Sequence, residues 1–360
     1  MTTENKRITI KIGSNVITRP DGSLNITQIS ALVDQVAYLY KKGIEVILVS
    51  SGAVAAGRSE VSVSTKLDSV DQRQLFSAIG QAKLINKYYD FFKEHGITVG
   101  QVLTTKENFR TRSHYLNQKN CMSVMLENGI IPIVNENDTI SVTELMFTDN
   151  DELSGLIASM MGVQSLIILS NVDGIYDGPP QLSTSKVIRK IEQDIDLSSY
   201  IQSSKSAFGR GGMLTKSSIA KKIADEGIQV VIANGCSPDI LIRLTEQAES
   251  TISTVFTPSS EPVSNVKKWI AHSEEFAKGE IHLNKDAVDI LMSNQVASIL
   301  PVGVIDVLGN FEKDDIVRIM NHKKAPIGVG KVNYDAEQAR SYMGQRNKKE
   351  MVHYDYLYIE

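Results

Sequence analysis

Two polar clusters bracket one excursion of this chain. Asn135-Glu136-Asn137-Asp138 follow directly on an apolar run at 130–134, and Asp149-Asn150-Asp151 precede a helical pattern that begins at Glu152. Carboxylates and carboxamides gathered beside a buried strand are the groups that hold a small polar ligand. A carboxylate takes an ammonium, while carboxamides and backbone N–H groups take a carboxylate. Either cluster alone reads equally well as a solvated loop with an Asp or Asn helix cap. Their pairing around one excursion is what points to a site.

Four more stretches place small residues where a backbone can approach an anion. Lys11-Ile12-Gly13-Ser14 ends a strand-like segment, with Lys11 supplying positive charge; by itself it also fits a strand that simply ends in a turn. Ser50-Ser51-Gly52-Ala53 joins a strand to a helix whose first N–H groups have no partner within the helix. Ser170-Asn171-Val172-Asp173-Gly174 ends another apolar run. In the segment 204–216, Gly209, Gly211 and Gly212 precede a helical run from Met213 to Glu226 that carries Lys216 near its start. The helix dipole disfavours a lysine there, so an anion nearby would account for it, although a flexible loop is the alternative for this stretch. The spacing is not that of a Walker A loop, and no G-x-G-x-x-G follows the first strand.

The elements that must position these groups follow from periodicity. RITIKI at 7–12 alternates and is β-branched, as a strand does. Ile29, Leu32, Val33, Val36, Leu39 and Tyr40 recur at helical spacing between Ile26 and Lys42, and Gly43 suits the end of that helix. EVILVS at 45–50 is the apolar run of a parallel strand covered on both faces. The small residues from Ala53 to Gly57 predict a helix packed closely on the sheet. Helices at 70–95 and 111–128 flank a strand at 98–103, and SLIILSNVDGIY at 165–176 and QVVIAN at 229–234 are expected as further strands. Strands alternating with helices predict an α/β domain with a mostly parallel sheet, which binds its ligands at the carboxyl ends of the strands. Thr257–Ser264 is rich in Pro and Ser, a linker signal. Beyond about residue 275 the chain breaks into short strand-like segments around one helix at Lys285–Ser293. The expected division is a catalytic domain at 1–256, a linker at 257–274 and a small mainly-β domain at 275–360.

Composition narrows the class. Hydrophobic residues make up 42% and charged residues 22% of 360, which is ordinary for a globular chain with a substantial core. A formal net charge of −4 argues against a protein built mainly to hold nucleic acid. Cys121 and Cys236 match no metal spacing and read as reduced thiols of a cytoplasmic protein. No segment reads as a signal peptide or a membrane span.

Taken in order, with NEND, DND and GGM-x-TK together, these motifs resemble the amino acid kinase family, on its glutamate-phosphorylating branch, over essentially the whole length. GEIHLNKDAVDILMSNQVASILPVGV and GNFEKDDIVRI resemble a PUA domain, that branch's usual appendage. The resemblance implies an α/β three-layer sandwich with a mostly parallel central sheet, followed by a PUA-like barrel. It implies phosphoryl transfer from ATP, accompanied by Mg²⁺, to the γ-carboxylate of L-glutamate, the first step of proline synthesis. By similarity, Lys11 and Lys216 flank the transferring phosphoryl group and Asp149 holds them by ion pairing. ATP would meet Lys11, Gly13, Ser14, Ser170, Asn171, Arg210, Gly211, Gly212, Met213, Leu214, Thr215 and Lys216. Glutamate would meet Ser51, Gly52, Asn135, Asp138, Asn150 and Asp151, with Asp138 the leading partner for its ammonium. No protein ligand for Mg²⁺ is assigned. No general base is needed, because the acceptor carboxylate is already ionised at neutral pH. The intervening Thr139–Thr148 is where the family's feedback inhibition by proline would act. A homo-oligomer is expected, with γ-glutamyl phosphate reductase as a candidate partner.

Two departures stand out. Ser170-Asn171 replaces the family's Ser/Thr-Asp, and Gly209-Arg210-Gly211-Gly212 replaces Gly-Thr-Gly-Gly. Other readings are a sibling kinase acting on carbamate, aspartate or an acidic phosphate, and RNA binding through the PUA-like domain. The second lacks a basic excess: residues 276–360 hold 11 Lys/Arg and 12 Asp/Glu.

Overall fold

A computed structural model describes residues 6–64, 67–110, 112–141, 146–147, 149–180, 182, 184–192, 213–260, 270, 274–293 and 297–359. The chain divides into two compact units, residues 1–108 with 113–262 and residues 109–112 with 263–360. The first is built on β1 (Arg7–Ile12), which pairs in parallel with β2 (Glu45–Ser50) on one side and with β5 (Ser165–Ser170) on the other. The sheet is completed by β3 (Val99–Thr104), β4 (Ile131–Glu136), β6 (Lys190–Ile191), β7 (Gln229–Asn234) and β8 (Thr254–Phe256), in the order β3-β4-β2-β1-β5-β7-β8-β6. Only the β7–β8 pairing is antiparallel. The short strands β6 and β8 lie in stretches too brief for the apolar pattern to reveal.

The helices of this unit are α1 (Ser14–Ile17), α2 (Ile26–Lys41), α3 (Ala53–Arg58), α4 (Ser69–Glu94), α5 (Glu107–Arg110), α6 (Arg112–Glu127), α7 (Asn150–Met161), α8 (Met213–Asp225) and α9 (Ile240–Glu246). Alternation along β1 sends its side chains to two faces. Ile8, Ile10 and Ile12 join a core with Ile29, Leu32 and Val36 of α2 and Leu84, Tyr88 and Phe92 of α4. Thr9 and Lys11 point to the opposite face, where α7 packs on β1 and α8 packs on α7 and β7. Helices on both faces of the sheet make the three layers.

Register brings the strand ends into one line. Ile12 is level with Ser50 and Leu169, Ser170 with Asn234, and Val49 with Val134. The polar segments expected at the carboxyl ends therefore do follow one edge of the sheet. The strand expected in the run 165–176 ends at Ser170, where the polar segment begins. The small residues after Gly52 serve two contacts: Ala53 and Ala56 join the core on this face of the sheet, and α3 also packs closely on α4, where a Cβ at Gly57 would lie 1.8 Å from Phe76 O and one at Gly80 would lie 1.8 Å from Ala53 O. Glycine is needed wherever two helix backbones come that close.

The second unit has a five-stranded sheet, β9 (Gly279–Leu283), β10 (Val304–Gly309), β11 (Ile316–Met320), β12 (Pro326–Val332) and β13 (Val352–Ile359), in the order β10-β9-β11-β12-β13. All its pairings are antiparallel except β9–β11. With α10 (Lys285–Met292) and α11 (Ala336–Tyr342) it encloses a separate core around Ile281, Val317, Ile319 and Val352. No helix among the described residues is long and apolar enough to cross a membrane.

Candidate active site

The centre of the site is a buried carboxylate between two ammonium groups. Lys11, next to last in β1, lies on the face covered by α7, and its Nζ lies 2.5 Å from Asp151 Oδ1. Lys216 stands in the first turn of α8, and its Nζ pairs with Asp151 Oδ2. Lys11 and Asp151 are 5% and 0% exposed. Burial opposes the charge on Asp151, but the fields of Lys11 and Lys216 and their hydrogen bonds overcome it and hold the carboxyl below its usual range. Burial also lowers the Lys11 ammonium, as does the like charge of Lys216, while Asp151 opposes the shift. A lysine at a helix start is thus explained within the protein: Asp151 is the anion beside Lys216.

This corrects the expectation that Asp149 pairs with the lysines and that Asp151 serves the substrate. Asp149 is the N-cap of α7, where its side chain accepts from the N–H groups of Asp151 and Glu152 at 2.9 and 3.1 Å. The Asp149 side chain is committed to the helix end, while the Asp151 carboxylate meets both lysines. Asp149 still feels both ammonium groups. Burial and the neighbouring Asp151 nonetheless push its carboxyl above the usual range.

Asn150, at the first position of α7, ties the strand ends together. Its Nδ2 donates to Ser50 O (3.0 Å), Ser51 Oγ (2.9 Å) and Asn135 Oδ1 (3.0 Å). Asn135 Nδ2 in turn donates to Gln81 Oε1 at 2.7 Å. Gly52 lies beside Ser51 with φ +98°, a conformation open to glycine, and a Cβ there would press on Ile17. Asp138 is held by Arg73, whose guanidinium also reaches Glu136. Among the residues expected to meet glutamate, Asn150 hydrogen-bonds Ser51 and Asn135, Gly52 follows Ser51, and Asp138 is held by Arg73. Sequence reasoning missed Arg73, Gln81 and Tyr88, all on α4. Tyr88 is buried with its hydroxyl 2.9 Å from Ser50 Oγ, and burial pushes its phenol up to about 12. The signal that would have found them is the polar Arg73, Gln81 and Tyr88 recurring on one flank of an otherwise apolar helix face.

On the other side of the lysines, Gly13 follows β1. Its N–H donates to Leu169 O at 3.1 Å. What the glycine supplies is space: a Cβ would lie 3.0 Å from Leu169 O and 3.6 Å from Lys11 Nζ. Ser14 opens α1 and is exposed; Ser170 is buried at the end of β5, and Asn171 beyond it is exposed. The nearby Asp173 accepts from Asn234 Nδ2 and Tyr176 Oη, both at 2.9 Å. Met213, Leu214, Thr215 and Lys216 form the first turn of α8. Arg210, Gly211 and Gly212 lie outside the described residues, as do 142–145 and Thr148 within the excursion.

The family model for the amino acid kinase family matches residues 6–234, the span that contains every group just described. The chain belongs to the amino acid kinase family. A PUA domain model matches residues 279–353, within the second unit. Among amino acid kinase relatives, the glutamate 5-kinase of Bacteroides thetaiotaomicron is 68% identical over 360 residues, covering 100% of both chains. The glutamate 5-kinase of Chlorobaculum tepidum is 48% identical over 356 residues, 98% of this chain and 97% of its own. Carbamate kinase from Giardia lamblia bound to AMP-PNP superposes with a TM-score of 0.52 at 14% identity, over 71% of this chain and 99% of that one. UMP kinase from Ureaplasma parvum does so with 0.50 at 16%, over 71% and 100%. At that identity the two structures speak to the fold alone, and it is the amino acid kinase fold.

Proposed function

We propose that this chain transfers the γ-phosphoryl group of ATP to the γ-carboxylate of L-glutamate, giving γ-glutamyl phosphate for proline synthesis. The observation that carries the substrate is the 68% identity, end to end, to a curated glutamate 5-kinase. The geometry supplies the chemistry. A carboxylate oxygen of glutamate attacks the γ-phosphorus, the bond to the bridging oxygen breaks, and ADP leaves with that electron pair. Negative charge builds on the transferring group and the leaving oxygen, so the protein's task is positioning and charge neutralisation. Lys11 and Lys216 do this from two sides. Asp151 keeps two like charges together in a buried place, which bare repulsion would prevent.

ATP fits the residues present: two ammonium groups share Asp151, and at Gly13 the absence of a Cβ leaves room close to Lys11 Nζ. A carboxylate enclosed by two ammonium groups is no metal site by itself. Mg²⁺ would come with the nucleotide, since it favours phosphate oxygens and water. On the acceptor side, Asp138 takes the ammonium of glutamate, and Ser51, Asn135 and Asn150 orient its carboxylates. Asn171 and Arg210 tune nucleotide binding. Proline acts as a feedback inhibitor through the 139–148 stretch, and the working form is a cytoplasmic homo-oligomer that passes its labile product to γ-glutamyl phosphate reductase.

ADP release by the purified chain, measured with glutamate, aspartate and carbamate in turn, tests the reading. Turnover with glutamate at least about 100-fold above the others in kcat/KM is expected. Equal rates with aspartate, or none with glutamate, would sink it.

A further inference from the structure

Arg73 is distant in sequence from the excursion it touches. Its Nε lies 2.6 Å from Asp138 Oδ1, and one terminal nitrogen lies 2.5 Å from the same oxygen and 2.7 Å from Glu136 Oε2. Both hydrogen-bonding contacts to Asp138 fall on Oδ1, and among the described residues Oδ2 accepts no hydrogen bond. Glu136 is fully engaged: Oε1 accepts from Ser141 Oγ at 2.6 Å and from the N–H of Phe147 at 3.0 Å. Glu136 thus fastens two points of the excursion, and Arg73 fastens Glu136 to α4. Burial raises both carboxyls above their usual range, Asp138 raises Glu136 further, and the guanidinium opposes this at both.

We propose that Arg73 is a positioning residue for the amino-acid substrate: it grips Asp138 by Oδ1 and so presents Oδ2 to the substrate's ammonium while Glu136 holds the excursion in place. This rests on the glutamate reading above. The bridge requires a planar fork with several donors. A lysine supplies the charge but not contacts to both carboxylates at once.

The test is steady-state kinetics on the full chain, for wild type, Arg73→Lys and Arg73→Met, varying glutamate and ATP separately. Arg73→Ala is assayed with and without added guanidinium ion. Arg73→Met is expected to raise the KM for glutamate by about 10–100-fold, the scale of a lost charged hydrogen bond. The KM for ATP and kcat at saturating glutamate should move by less than about threefold. Arg73→Lys should fall between, and guanidinium should lower the glutamate KM of Arg73→Ala. A glutamate KM within about twofold of wild type in Arg73→Met overturns the proposal. So does a parallel loss of kcat and both KM values that guanidinium does not reverse, which would mark a merely structural role. Wild type inactive on glutamate would remove the substrate reading and this inference with it, whereas active wild type with an indifferent Arg73→Met removes this inference alone.

Discussion

A carboxylate buried between two ammonium groups makes definite demands on substitution. Replacing Lys11 or Lys216 by alanine removes one of the two charges that meet the developing negative charge, and each should lower kcat by about 10²–10³-fold or more. Near-normal turnover in either variant would break the assignment. Asp151→Asn leaves both ammonium groups without an anion, and for buried pairs such a change costs about 3–5 kcal/mol. Because the Asp151 carboxyl is held below its usual range, its contribution is complete above the unfolded value of about 3.9. It fades only as pH falls through the lower folded value. The difference in unfolding free energy between wild type and Asp151→Asn, from urea titrations, should therefore stay level from neutral pH down to about 4 and shrink below it. A difference gone by about pH 5 would mean that Asp151 is not stabilised as its partners imply. Asp151 and Asp149 also show where residue-level reading stops. Both are acids in the same motif, and nothing in their type says which one meets the lysines.

Among the elements, α7 and α4 carry the site from opposite sides. Asp149 caps α7, so Asp149→Ala should destabilise the chain by about 1 kcal/mol, while Asp149→Ser keeps a capping oxygen and restores most of it. Comparing the two in activity separates the cap from the charge, because only the charge is missing from the serine variant. For α4 the decisive contact is its approach to α3. Gly80→Ala places a methyl group 1.8 Å from Ala53 O, and overpacking of this kind costs about 1–3 kcal/mol. Thermal unfolding should show the loss; an unchanged midpoint would mean that the two helices separate freely. The apolar spacing of α2, α4 and α7 made them legible, as the apolar runs did for β1, β2, β5 and β7. Helix α9 and the strands β6 and β8 were not, because seven-, two- and three-residue elements show too little periodicity to stand out.

On the scale of the whole molecule, each of the two units encloses its own core. In the second, α11 is fixed to β10 through Arg340, whose guanidinium donates to Val307 O and Gly309 O. A fragment of residues 275–360 should therefore fold alone and unfold cooperatively in denaturant, as followed by circular dichroism. A broad, non-cooperative loss of signal would show that this core depends on the rest of the chain. Helix α11 itself went unread in the sequence, because only Ala336 and Ala339 are buried and two alanines leave no apolar stripe.

What the sequence determined by itself was local. β-branched apolar runs bury strands, and at their carboxyl ends the chain turns polar, so Lys11, Ser51, Asn135 and Ser170 had to lie along one edge of a parallel sheet. The tertiary structure decided which of those groups touch. Strand order placed β1 between β2 and β5 and brought Lys216 to Lys11 across the sheet. The rotation of α7 about its axis turned Asp151 towards both lysines and left Asp149 to the helix end. The same packing set Arg73 and Gln81 of α4 against carboxylates and carboxamides more than 50 positions away in sequence. A helix pattern states which face is buried; what that face meets depends on the order of the strands beneath it.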